Sequence, residues 1–107
     1  MASQGQLKSW LTFIANVGDE QGFEVDRLKS FLRVYIDRHH GVAYRIQSNN
    51  AGYLQAQQWE CDSKGRKGRY GRSVYSMRSC SDVAQFCAVL IASSDIRARR
   101  KEDSDEV

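Results

Sequence analysis

Residues 25–37 read Val25-Asp26-Arg27-Leu28-Lys29-Ser30-Phe31-Leu32-Arg33-Val34-Tyr35-Ile36-Asp37, and the period assigned to them sets the element count of the first half of the chain. Val25, Leu28, Leu32, Tyr35 and Ile36, flanked by Phe31, form a wide apolar stripe at helical spacing, while Arg27, Lys29, Arg33 and Asp37 take the other side. The spacing predicts an amphipathic helix that ends near His39, with Gly41 placed to close it.

Upstream, Leu7, Trp10, Leu11 and Ile14 recur at i, i+3, i+4 and i+7, which predicts a helix from about Gln4 to Val17 stopped by Gly18. Residues 18–22 break the periodicity and read as a linker. Downstream the period falls to two. Val42, Tyr44 and Ile46 alternate with Ala43, Arg45 and Gln47 as in a half-buried strand, and the turn formers Ser48-Asn49-Asn50-Ala51-Gly52 follow. A second strand is expected over Tyr53–Cys61 and a third over Tyr70–Met77. A last helix carries Val83, Phe86, Cys87, Leu90 and Ile91 on one face, opens with a capping box of Asp82 and Gln85, and ends near Ile96. The expected fold is α+β, in the order α-α-β-β-β-α, with helices packed on one face of a three-stranded antiparallel sheet.

A chain of 107 residues holds one core, and a 41% hydrophobic composition is enough to fill it. The organisation read from the sequence is a single domain over residues 1–101, comprising an extra helix and linker (1–22) and a core (23–96), followed by a disordered acidic tail (102–107). No apolar run reaches the length of a membrane span and the N-terminus lacks a signal-peptide pattern, so an intracellular protein, cytoplasmic or nuclear, is expected. Three cysteines, Cys61, Cys80 and Cys87, do not make a disulfide framework. A zinc site would need Cys80 and Cys87 to meet His39 or His40 across the fold, which is not a usual ligand spacing, so neither metal nor cofactor is expected. Nucleophile-elbow, phosphate-loop, dinucleotide and metalloprotease motifs are all missing, and nothing by spacing ties a nucleophile to His39 and His40. The chain reads as a binding protein, not an enzyme.

Charge is segregated along it. Residues 1–63 carry a net charge of -1, residues 64–101 of +8 and residues 102–107 of -4. The densest part is Lys64-Gly65-Arg66-Lys67-Gly68-Arg69-Tyr70-Gly71-Arg72, five cations with three glycines and a tyrosine. Clustered cations attract a phosphate backbone, glycines let main-chain amides approach it, and Tyr70 offers a ring for stacking on a base or sugar. The competing reading is a solvated hairpin tip whose charges keep a sheet edge soluble. A second basic run, Arg97, Arg99, Arg100 and Lys101, closes the last helix, where cations also favour the helix dipole.

Leu28, Phe31 and Leu32 in the expected second helix, Tyr44-Arg45-Ile46 in the first strand, the glycine-rich turn and Cys87-Ala88 in the last helix follow one another in a familiar order. From about Val25 to Ile96 the chain resembles a double-stranded-RNA-binding domain, especially the divergent N-terminal copies of RNA helicase A-type proteins. The resemblance implies RNA contacts from Arg27 and Arg33 on the first helix of that core, from Ser48, Asn49 and Asn50 between its first strands, and from the start of its last helix. That start is Cys80-Ser81-Asp82 where the family has lysines, and only Arg78 stands in for them. Two readings result. In the first, the chain binds nucleic acid, with duplex RNA preferred, through Lys64, Arg66, Lys67, Arg69, Tyr70 and Arg72, supported by Arg78, Arg27, Arg33, Asn49 and Asn50. In the second, it is a degenerate copy acting as a homodimer, adaptor or inhibitor on a protein partner, anchored by Trp10 and Phe13 on the N-terminal helix.

Overall fold

The computed structural model describes residues 3–29, 31–37, 42–61 and 68–105. It is an α+β fold of two helices and a five-stranded antiparallel sheet: α1 (Gln4–Glu20), β1 (Glu24–Arg27), β2 (Phe31–Asp37), β3 (Val42–Ser48), β4 (Leu54–Cys61), β5 (Gly68–Met77) and α2 (Cys80–Asp105). The strands form a meander in the order β1-β2-β3-β4-β5. The α+β class and the one-sided helix packing stand; the three-stranded sheet and the α-α-β-β-β-α order do not.

The difference lies in residues 25–37, which form a hairpin in place of the expected second helix. Val25 pairs with Val34 and Arg27 with Leu32, and the Leu28 N–H donates to the Phe31 carbonyl at 3.0 Å across the turn. A helix over this stretch would have left Val34 off the apolar stripe, yet it is fully buried. Leu32, Val34 and Ile36 point to the helices at a period of two, and Phe31, Arg33 and Tyr35 point the other way. Because both faces of β2 carry large apolar side chains, a wide helical stripe and a two-faced strand read alike. β-Branched and aromatic residues then favour the strand.

Helix α1 begins at Ser3, whose hydroxyl accepts from the Gln6 N–H at 3.1 Å. It runs through Gly18, the expected stop, to a Schellman closure at Gly22. There Phe23 N–H donates to the Gly18 carbonyl and Gly22 N–H to the Asp19 carbonyl, both at 3.0 Å, and Gly22 takes the positive φ of 82° that the motif requires. Helix α2 is capped three residues earlier than expected. The Ser79 hydroxyl accepts from Asp82 N–H at 3.3 Å, and the Asp82 carboxylate accepts from Arg78 N–H at 2.9 Å, so Ser79 and Asp82 replace Asp82 and Gln85 as the box. It also continues past Ile96, where the spacing ended it, to Asp105; arginine, lysine, alanine and glutamate there are good helix formers.

Both helices cover the same side of the sheet. Leu7, Trp10, Ile14 and Ala15 of α1 and Val83, Phe86, Cys87 and Leu90 of α2 join Leu32, Val34, Ile46, Leu54, Ala56 and Met77 in one core. Phe86 sits at its centre, edge-on to Tyr44 at 5.4 Å and to Tyr75 at 5.5 Å. Among the described residues no helix is long and apolar enough to cross a membrane.

Candidate functional site: the basic end and the helix-free sheet face

Strand register builds one end of the molecule. Glu24, Tyr35, Ala43, Trp59 and Tyr70 lie side by side across the five strands, and one step further Cys61 pairs with Gly68. β4 ends and β5 begins at this end, and Lys64, Arg66 and Lys67 lie outside the described residues. Arg69, Tyr70 and Arg72 fall in β5, directly after the return. α2 comes back to the same end: the Ser94 hydroxyl donates to the Gln21 carbonyl at 3.3 Å, and Gln21 is three residues from Glu24. The helix carries Arg97, Arg99, Arg100 and Lys101 beyond that tether. The start of β5 and the Arg97–Lys101 stretch of α2, far apart in sequence, thus lie toward the same end, one on the β5 edge and the other past a tether on the β1 side.

Gly71 has a more specific task than loop pliability. A Cβ there would stand 2.7 Å from the Gln58 carbonyl oxygen, at an irregular stretch of the β4–β5 ladder where the register shifts. The glycine lets β5 cross β4 closely just as the chain leaves the loop.

The other expected contacts scatter. Arg27 is exposed and ion-paired with Asp19 at the end of α1. Asn49 holds the β3–β4 turn, its side-chain oxygen accepting from Ala51 N–H at 3.0 Å and Tyr53 N–H at 3.3 Å; Asn50 is exposed in the same turn. Arg78 stacks over Tyr53 at 4.3 Å, and its hydrogen bond, with a second from Asn49, holds the Tyr53 phenol below its usual range. This cluster lies at the opposite end from the basic loop, because Ser48, Leu54 and Met77 share one row. Trp10 is 8% exposed and belongs to the core, whereas Phe13 is 53% exposed, so only Phe13 of the two expected anchors faces solvent.

Arg33 is the exception, and it leads to residues that sequence reasoning missed. On the sheet face that neither helix covers, Asp26, Arg33, Arg45, Gln57 and Ser73 form a row across all five strands. Beside it run Phe31, Gln47, Gln55 and Ser76 on one flank and Tyr35 with Ala43 on the other. Arg33 and Arg45 are direct cross-strand neighbours, and like charges so placed repel. Burial first, and then the Arg33 charge, lowers the Arg45 pKa. The Arg45 guanidinium lies 4.2 Å from the Phe31 ring centroid and that of Arg33 5.5 Å from it. Arg33 is oriented by a relay in which its Nη1 donates to Tyr35 Oη at 3.0 Å and Tyr35 Oη donates to Asp26 Oδ2 at 3.0 Å. Burial raises the Tyr35 pKa, which keeps the relay's phenol protonated.

No protein-family model, curated protein or solved structure matches this chain. Its function must therefore be read from the two cationic regions themselves. Sequence spacing could not have joined Arg33 to Arg45, because they meet only once residues 25–37 are read as a hairpin.

Proposed function

We propose that this protein is a nucleic-acid-binding module whose basic end engages a sugar–phosphate backbone. The observation that carries the reading is that the start of β5, which continues the basic stretch through Arg69 and Arg72, and the helix residues Arg97–Lys101 lie toward one end of the sheet, within the segment of net charge +8. Electrostatic attraction of this kind is long-ranged, independent of base sequence and strongly salt-dependent. Duplex RNA is the ligand implied by the resemblance, but the first helix on which that resemblance drew is a hairpin here. What the basic end recognises is phosphate, which duplex and single strands share.

The test is fluorescence anisotropy with duplex RNA, single-stranded RNA and duplex DNA, each at low and near-physiological salt. Binding should weaken steeply as salt rises. Replacing Lys67 and Arg69 together by alanine should weaken it for every ligand and flatten the log–log salt slope by about 1 for each phosphate no longer engaged. Equal affinity and slope in that variant would remove the loop from the interface. Uniformly weak, salt-insensitive binding by the wild type would overturn the reading and favour a protein partner.

A further inference from the structure

We infer that Tyr53 is a modification site, a phenol oxygen placed to accept an acyl group from an activated acyl donor, with Arg78 and Asn49 as the residues that hold it. The site is independent of the nucleic-acid reading and lies at the opposite end of the sheet from the start of β5.

Register brings its parts together. Leu54 at the start of β4 pairs with Met77 at the end of β5, so Tyr53 and Arg78 fall side by side one step beyond the ladder. Each is fixed through its own main chain. The Asn49 N–H donates to the Tyr53 carbonyl at 3.0 Å and the Tyr53 N–H to Asn49 Oδ1 at 3.3 Å, while Gly52, at a φ of 85°, closes the turn between them. The Arg78 N–H donates to the Asp82 carboxylate at 2.9 Å, which ties it to the first turn of α2. The two side chains therefore meet between anchored segments.

Two chemical consequences follow. Arg78 first, and then Asn49, donates a hydrogen bond to the phenol; such bonds favour the phenolate and lower the Tyr53 pKa. A hydroxyl is a weak nucleophile at its ordinary pKa and a stronger one when that value is lowered. The Arg78 guanidinium lies 4.3 Å from the ring centroid, so it covers ring carbons, whereas the nucleophilic oxygen lies at the ring's edge on a partly exposed residue. A guanidinium also has five N–H donors, more than one phenol uses, so Arg78 has others for an acyl oxygen as it gains negative charge. In the transfer, Oη attacks the acyl carbon and a C–O bond forms. The bond to the leaving group breaks, that group departs with its electron pair, and the phenolic proton passes to water. Three other tyrosines are placed differently: Tyr35 is buried and donates to Asp26, and Tyr44 and Tyr75 pack edge-on against Phe86.

The experiment treats the full chain with N-acetylimidazole near neutral pH and above it, with N-acetyltyrosinamide in the same solution as an exposed, unassisted phenol. Mass spectrometry follows acetylation of each tyrosine peptide and of the reference. The proteins are wild type, Arg78→Met, which keeps an apolar stem over the ring, and Tyr53→Phe, which confirms the peptide assignment; circular dichroism checks that each is folded. The expected result is acetylation of Tyr53 about threefold or more faster than the reference, with a rate that rises at lower pH, and a fall to the reference rate or below in Arg78→Met. Exposure alone can at most equal the reference. A Tyr53 rate no higher than the reference therefore overturns the proposal, and so does a folded Arg78→Met protein that reacts as fast as wild type. If Arg78→Met does not fold, the comparison of wild type with the reference still decides.

Discussion

Replacing Gly18 by alanine tests how closely α1 is seated on the sheet. A Cβ at this position would stand 2.9 Å from Val25 Cγ2 and 3.5 Å from Val34 Cγ1. Apolar carbons prefer about 3.5–4.0 Å, so the first distance is short by more than half an ångström. Valine has one stiff side-chain torsion, and Val25 is held in register opposite the fully buried Val34, so the β1–β2 hairpin itself has to move. Two effects oppose each other. Alanine in place of glycine inside a helix gains at most about 1 kcal/mol, whereas overpacking a tight contact costs about 1–3 kcal/mol. Overpacking wins, and the net expectation is a loss of up to about 2 kcal/mol, read from urea unfolding followed by the fluorescence of the buried Trp10. In a Val25→Ala background the obstructing methyl is gone, so the same substitution should stabilise, giving a coupling of about 1–3 kcal/mol between the two positions. A Gly18→Ala protein more stable than wild type, with additive effects in the double variant, would refute the close approach.

Other consequences follow from the same geometry. Gly71→Ala should cost about 1–3 kcal/mol in urea unfolding, because the Cβ meets a main-chain oxygen that cannot rotate away; Gly22→Ala, with open space but a φ of 82°, should lose about 1–2 kcal/mol through backbone strain alone. Cys80 is exposed and Cys87 buried, with burial pushing the Cys87 thiol pKa up, so a thiol reagent should modify Cys80 in the native protein and Cys87 only on unfolding; mass spectrometry of the labelled peptides reads this directly. Burial also raises the pKa values of Tyr35 and Tyr44 above 10.0. Their contribution is therefore intact below the ordinary phenol value and is lost as pH rises through the folded values, so urea midpoints should hold up to about pH 10 and fall above it, less steeply in Tyr44→Phe.

Local signals made most of the helices and strands legible. Leu7, Trp10 and Ile14 marked α1 and Val83 to Leu90 marked α2 because each buries one face, and Val42 to Gln47 marked β3 because its larger apolar side chains alternate with small or polar ones. The hairpin at residues 24–37 escaped because β2 has apolar side chains on both faces, which removes the alternation by which a strand is recognised. Gly18 misled for a related reason. Glycine usually ends a helix through its backbone freedom, but here it is kept for the space that a missing Cβ leaves against Val25, and Gly22 supplies the positive φ. The basic loop was legible as composition. The return of α2 to the end of α1 was not, since Ser94 and Gln21 meet across 73 residues.

The reassignment of residues 25–37 changes the functional argument more than it changes the fold class. As a helix, that stretch would have displayed Arg27 and Arg33 together on a solvated flank, where isolated cations are common and carry little information. As a hairpin, it sends Arg27 to an ion pair with Asp19 and turns Arg33 onto a sheet face beside Arg45. Arg45 repels Arg33 across the β2–β3 ladder and Asp26, directly opposite Arg33 across the β1–β2 ladder, offsets that cost, each pairing being worth some tenths of a kcal/mol to about 1 kcal/mol. Tyr35 and Asp26 then hold one member of the pair in place and Phe31 stacks beneath the other, so the repelling groups are positioned, not splayed into solvent.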